Sequence, residues 1–172
     1  NGDPLTAAAV KFSLERIKDP ATASPGATHL REVASVEAID EHTLKIVTKR
    51  PFAPMLMSLT RYETSIVSER AVKEAGADYG SKAAVGTGPF KFMSWSRGDK
   101  VTLEKFDGYF RGPASLDTVV YRGIPEDATR LVELESGGVE LIPGNFPYQD
   151  FVTIEESGKF LTYQTPAMST LY

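Results

Sequence analysis

The residues of this chain that could do chemistry are few and scattered. Two glycines flank a threonine at Gly86-Thr87-Gly88. A phosphate cradle needs such glycines ahead of a helix N-terminus, where free amides converge on the anion. Here Pro89 and an apolar, aromatic run over residues 90–95 follow, and no Gly-Lys-Ser or Gly-Lys-Thr occurs. The pair reads instead as a tight corner that uses positive φ or close backbone approach. Arg97-Gly98-Asp99 spells an adhesion-type tripeptide, but between two strand-like runs it reads as turn chemistry. The two histidines, His29 and His42, lie in different segments without metal-ligand spacing. His42 sits in a polar turn and His29 follows the loop Ser24-Pro25-Gly26. Adjacent acids occur at Asp40-Glu41 and Glu155-Glu156, while Glu133 and Glu135 face different ways on a helix. None makes an acid–base pair, and a G-x-S-x-G nucleophile elbow is absent. A dispersed Ser–His–Asp arrangement stays open, but nothing in these residues points to an enzyme, a cofactor or a metal.

Binding chemistry is better represented. Arg61-Tyr62 lies between an apolar segment, residues 55–59, and a strand-like run, residues 64–67. A guanidinium there can fork onto a carboxylate or phosphate, or it can pair with Glu63 at the surface. Gly144-Asn145-Phe146-Pro147 joins a short strand to a helix, so Asn145 offers an amide and Phe146 a packing face. Tyr163 and Tyr172 either line a pocket or fill a core.

The composition bounds the class of protein and says little about a small-molecule partner. The 172 residues suffice for one domain or two small lobes with a sizeable core. They are 41% hydrophobic and 24% charged, ordinary for a globular protein. A net charge of -4 argues against nucleic acid, which needs a basic face. No cysteine is present, which removes disulfides and thiolate metal sites. No run of about 18 apolar residues and no signal peptide occurs. The chain begins without an initiator Met and ends on apolar, strand-like residues, which suggests a piece of a longer protein.

Several elements must position these residues. Thr6 can cap a helix over residues 7–18, whose apolar stripe is Val10, Leu14 and Ile17. A turn-rich loop spans residues 21–27. Residues 33–39 and 44–49 alternate in polarity around Asp40-Glu41-His42-Thr43, the pattern of a β-hairpin. A short helix over residues 55–59, a strand over 64–67 and a Ser68-capped helix ending before Gly76 follow. Strands are expected over residues 90–95, 101–106 and 116–121. A helix over residues 126–136, a strand over 139–142, a helix over 147–157 and a strand over 160–164 complete the chain. The fold class is α/β, with strands and helices mixed throughout (α+β).

Four segments in order, PLTAAAVKFSLERIKDP, VEAIDEHTLKIVTKRPFAPML, GTGPFKFMSW and TRLVELESGGVEL, give the chain a family likeness. It resembles the family 5 solute-binding proteins of ABC transporters, the peptide, opine, glutathione and nickel-binding group, from Gly2 to Tyr172. The resemblance implies a type II periplasmic-binding-protein fold: two lobes and a hinge, with an extra subdomain beside lobe I. It places residues 1–85 in that subdomain and residues 86–172 in the returning part of lobe I, with the second lobe outside this sequence. It implies a monomer in the periplasm or outside the cell, free or lipid-anchored. Such a protein captures a short peptide or similar small polar solute and delivers it to a membrane permease, with no nucleic-acid partner. A ligand-sensing domain of a regulatory protein with the same fold is the alternative. The loop at Ser24-Pro25-Gly26 matches one that often carries a ligand-touching aromatic at the Gly26 position, and here that side chain is missing. Arg61, beside Tyr62, falls near a position where some members hold a ligand carboxylate. Asn145, Phe146 and Tyr172 fall on strand ends and loops facing the cleft.

Overall fold

The computed structural model describes residues 1–143 and 147–163. The chain divides into two compact units, residues 1–121 and 122–172.

The first unit is built around helix α1, Ala7–Lys18. Thr6 caps it: the Oγ1 accepts from the Ala9 N–H at 3.3 Å. The Ala7 N–H, another free amide of that first turn, donates to the Glu41 carbonyl of the hairpin turn at 2.8 Å. The buried face carries Ala7, Ser13, Leu14 and Ile17, with Val10 packed alongside. The expected loop over residues 21–27 instead holds two 3₁₀ turns, Pro20–Thr22 and Pro25–Leu30, each opened by a proline that presets φ. Leu30 at the end of the second is fully enclosed.

Strands β1, Val33–Ala38, and β2, Leu44–Thr48, form the expected antiparallel hairpin. Asp40 Oδ1 accepts from the backbone N–H of His42 and of Thr43, both at 2.8 Å, and so fixes the turn. Val33 and Val36, three apart, both reach the core. Strict alternation would put them on opposite faces, but the pairing shifts register between Val33 and Ser35. The core is therefore Leu14, Ile17, Leu30, Val33 and Val36, with Leu44, Ile46, Met55, Leu59 and Ile66 around it.

Helix α2, Met55–Leu59, leads into a 3₁₀ turn, Tyr62–Thr64. Residues 64–67 are not a strand. Thr64 ends the 3₁₀ turn, its hydroxyl bonded to the Arg61 carbonyl at 2.7 Å, and residues 65–67 are irregular. Ser68 caps α3, Glu69–Ala75, by accepting from the Ala71 N–H at 3.2 Å. Gly76 follows at φ 53°.

Residues 86–89 then enter a three-stranded sheet, β3 (Phe90–Ser96), β4 (Lys100–Lys105) and β5 (Thr118–Arg122), in that order. β3 and β4 pair antiparallel across the Ser96–Lys100 turn, with an irregularity between Phe92 and Ser94. None of the residues in these three strands is buried.

The second unit contains α4, Asp127–Glu135, and α5, Tyr148–Ser157. Arg130 donates to the carbonyls of Ile124 and Pro125 at 2.8 and 3.0 Å, which ties the segment before α4 to its first turns. The strand expected over residues 139–142 is irregular: the Gly138 and Val139 N–H groups bond back to the Glu133 carbonyl. Of the strand expected over residues 160–164, the described part, residues 160–163, is also irregular. Tyr163 is 86% exposed, so it fills no core in this chain.

Candidate functional site

The sequence candidates of the first unit meet around the turn Tyr62–Thr64. Arg61 and Tyr62 separate two clefts. One, of about 540 Å³, runs over the core edge at Val10, Leu44 and Ile46. The other, of about 510 Å³, is shallow and lies between Pro54, Met57, Tyr62 and His29. Thr60, Arg61 and Tyr62 line both.

Local structure explains why Arg61 sits there. It adopts extended backbone at the entry to the turn. The Thr64 hydroxyl, 3% exposed as a residue, donates within reach of both the Arg61 and Ser58 carbonyls, at 2.7 and 3.1 Å. That pins the end of α2 to the turn and holds the Arg61 side chain on the outside, 52% exposed. Tyr62 is 81% exposed beside it.

The charge pattern around the turn is compact. Arg61 Nε lies 3.7 Å from Glu63 Oε2, and His29 Nε2 lies 3.8 Å from Glu63 Oε1. The Glu63 side chain is only 11% exposed. Its own backbone N–H is the main group holding its pKa below the usual carboxylate range. Burial opposes that effect, and Tyr62, Arg61 and His29 add to it.

Gly26 belongs to the same cluster through its lack of a side chain. A Cβ there would stand 2.8 Å from the Glu63 carbonyl oxygen and 3.0 Å from its Cβ. The glycine lets the turn Pro25–Leu30 lie directly on Glu63. A 3₁₀ turn has three residues per turn, so Gly26 and His29 share a face, and His29 arrives at Glu63 as well. The sequence reading gave His29 no role beyond its place after the loop. Its i+3 spacing from Gly26 becomes a signal only once the 3₁₀ turn is known.

Gly26, Arg61 and Tyr62 are thus brought together, whereas Asn145, Phe146 and Tyr172 lie outside the described residues. The remaining motifs resolve as local structure. Gly98, at φ 77°, makes the turn of Arg97-Gly98-Asp99, and Arg97 lies over the Trp95 ring at 5.3 Å. Gly86 and Gly88 show no positive φ. A Cβ on Gly86 would make an ordinary 3.5 Å contact and one on Gly88 none within 4 Å. The bend over residues 87–89 that leads into β3 therefore needs neither positive φ nor close approach at these glycines. His42 is 78% exposed. Among the described residues no cluster of three His, Asp or Glu could hold a metal ion. No helix among them is long and apolar enough to cross a membrane.

The mixed α/β fold of this chain is shared by solved structures of periplasmic binding proteins. The protein MoaA from A. tumefaciens R10, solved with mannopinic acid, matches with a TM-score of 0.80 and 29% identity, over 90% of this chain and 31% of that one. DppA from Helicobacter pylori, solved with the peptide STSA, matches with a TM-score of 0.72 and 31% identity, over 88% of this chain and 32% of that one. These are type II periplasmic binding proteins, of which this chain corresponds to a part. The model of the bacterial extracellular solute-binding proteins, family 5 (middle region), matches residues 1–172, and the chain belongs to that family. The family is one of transport proteins. The glutathione-binding protein GsiB of Escherichia coli (strain K12) is 31% identical over 174 residues, covering all of this chain and 33% of GsiB. The chain spans about a third of the length of the curated relatives it matches.

Proposed function

We propose that this chain is part of the substrate-binding component of an ABC importer, which captures a short peptide or similar small polar solute and delivers it to a membrane permease. Residues 1–85 would form the extra subdomain beside lobe I, and residues 86–172 the returning part of lobe I. The second lobe would lie elsewhere in the longer protein. Ligand contacts to both lobes stabilise the closed state, so capture and closure are one equilibrium. The protein works as a monomer in the periplasm or on the outside of the cell.

One observation carries the ligand assignment. Arg61 is half exposed at the meeting of two clefts, and Glu63, 3.7 Å from its Nε, is the only charged group it meets among the described residues. A guanidinium approached along its Nε edge keeps terminal N–H donors for a carboxylate. Tyr62 supplies an aromatic wall. Asn145, Phe146 and Tyr172 are proposed to contribute the remaining polar and apolar walls. The relatives GsiB, DppA and MoaA are described with glutathione, a peptide and an opine, all of which carry carboxylates, in support of this reading.

The test uses the full-length protein purified without added ligand. Native mass spectrometry identifies a retained solute, and calorimetry with glutathione, small peptides and opines ranks the candidates. Arg61→Ala is expected to weaken the best binder by ten-fold or more, consistent with about 1.5–3 kcal/mol for a hydrogen bond to a charged group. Unchanged affinity would remove Arg61 from the site.

A further inference from the structure

The Arg61 cleft has a feature beneath its surface that anion binding alone does not require. Glu63 Oε2 is enclosed and has no hydrogen-bond partner among the described residues. An enclosed carboxylate oxygen without a donor is costly, so its retention calls for an explanation. Glu63 stands between two nitrogen groups, Arg61 Nε at 3.7 Å and His29 Nε2 at 3.8 Å. Both distances exceed a hydrogen bond: Oε2 meets the Arg61 charge, and Oε1 faces the Nε2 edge of His29 as a charge faces a dipole. Gly26 holds the arrangement in place by bringing the turn that bears His29 onto Glu63.

A carboxylate facing Nε2 favours the neutral imidazole tautomer that carries its proton there. Nδ1 then holds a lone pair and accepts hydrogen bonds. His29 and Arg61 line the same 510 Å³ cleft, together with Met57 and Tyr62. Two residues that line the cleft thus carry complementary groups, an acceptor on His29 and terminal guanidinium donors on Arg61. A bare carboxylate uses only the donors. A carboxylate with a neighbouring O–H or N–H uses both.

We propose that Glu63 is a positioning residue that fixes His29 as an Nδ1 acceptor beside the Arg61 donors, so that this cleft selects carboxylates bearing an adjacent hydrogen-bond donor. The selection rests on the assignment of Arg61 as the anion contact. The C-terminal residue of a peptide meets the description through its amide N–H, as do 2-hydroxy and 2-amino acids.

The experiment is nitrogen NMR on the full-length protein, with labelled histidine and arginine, at about pH 8.5, where an ordinary imidazole is neutral. His29 is expected in the Nε2–H form, and in Glu63→Gln as a mixture of tautomers. An Nδ1–H form in the unaltered protein, or identical spectra in the two proteins, would overturn the positioning role. Acetate and glycolate are then titrated as probes. Glycolate is expected to move both the His29 Nδ1 and Arg61 Nε signals and to bind at least three-fold more tightly than acetate. Glu63→Gln is expected to abolish that preference. Equal affinities in the unaltered protein would overturn the selection. If neither anion moves Arg61, the Arg61 assignment falls and the selection with it, while the tautomer of His29 still reports on Glu63 alone.

Discussion

Two glycine substitutions with the same chemistry should have opposite outcomes. At Gly26 an added methyl meets backbone at 2.8 Å, and backbone cannot swing aside. Gly26→Ala should lower stability by about 1–3 kcal/mol, the usual range for overpacking, as read by denaturant unfolding. At Gly88 a methyl meets nothing within 4 Å, and φ is not in the left-handed region. Gly88→Ala should be neutral or stabilise by about 0.4–1 kcal/mol, by restricting the unfolded chain. The sequence reading put close backbone approach at Gly88 and only a missing side chain at Gly26, the reverse of what is found, because a glycine is silent about what stands opposite it. The Arg61–Glu63 pairing was open to reading from two charges two residues apart. His29 was not, because its place depends on a 3₁₀ turn hidden in a loop. Charge also sets an acid limit. Arg50 holds Glu32 below its ordinary 4.5 through a bidentate contact, at 3.0 and 3.2 Å. A carboxylate with a lowered folded-state pKa contributes stability above its ordinary value and loses it as pH falls through the lowered one. Glu32→Gln should therefore flatten the decline of Tm below about pH 4.5, measured by thermal melts across pH.

Elements that bury a periodic face were legible, and those held by side-chain-to-backbone bonds were not. The stripe of α1 and the alternation of β1 and β2 announced themselves through apolar spacing. Leu14, 2% exposed at the centre of the core, should cost about 2–5 kcal/mol when cut to Ala, as read by the denaturation midpoint. Residues 64–67 had strand-like composition, yet the Thr64 hydroxyl and the Tyr62–Thr64 turn override it. The stretch after α4 failed for another reason, since the Val139 amide expected in a ladder is taken by the backbone carbonyl of Glu133. The register shift in β1 was invisible because alternation assumes a regular pleat, and a single extra residue re-aims everything after it.

At the scale of the molecule, apolar surface is distributed unevenly. Among the described residues, seven of the buried apolar side chains, Ala7 through Ala71, precede residue 72, and only Ile154 follows. The sheet β3–β5 buries none of its residues, and Trp95, Val120 and Tyr121 on it are at least 43% exposed. A sheet needs a partner layer over at least one face. In the full-length protein this sheet should be covered, so that Trp95, the only tryptophan of this chain, is shielded from acrylamide there and quenched readily in residues 1–172 alone. Ser13 adds a consequence in time. Its oxygen accepts from the Val67 N–H at 3.0 Å and lies 3.2 Å from the Val67 carbonyl, closing 54 residues of chain. The helix–hairpin contacts that surround α1 span shorter stretches and can condense first, since closing a long loop costs entropy before any contact repays it. Ser13→Ala should accordingly speed unfolding while leaving the refolding rate nearly unchanged, so a hydroxyl buried in α1 governs how long the fold endures more than how fast it is reached.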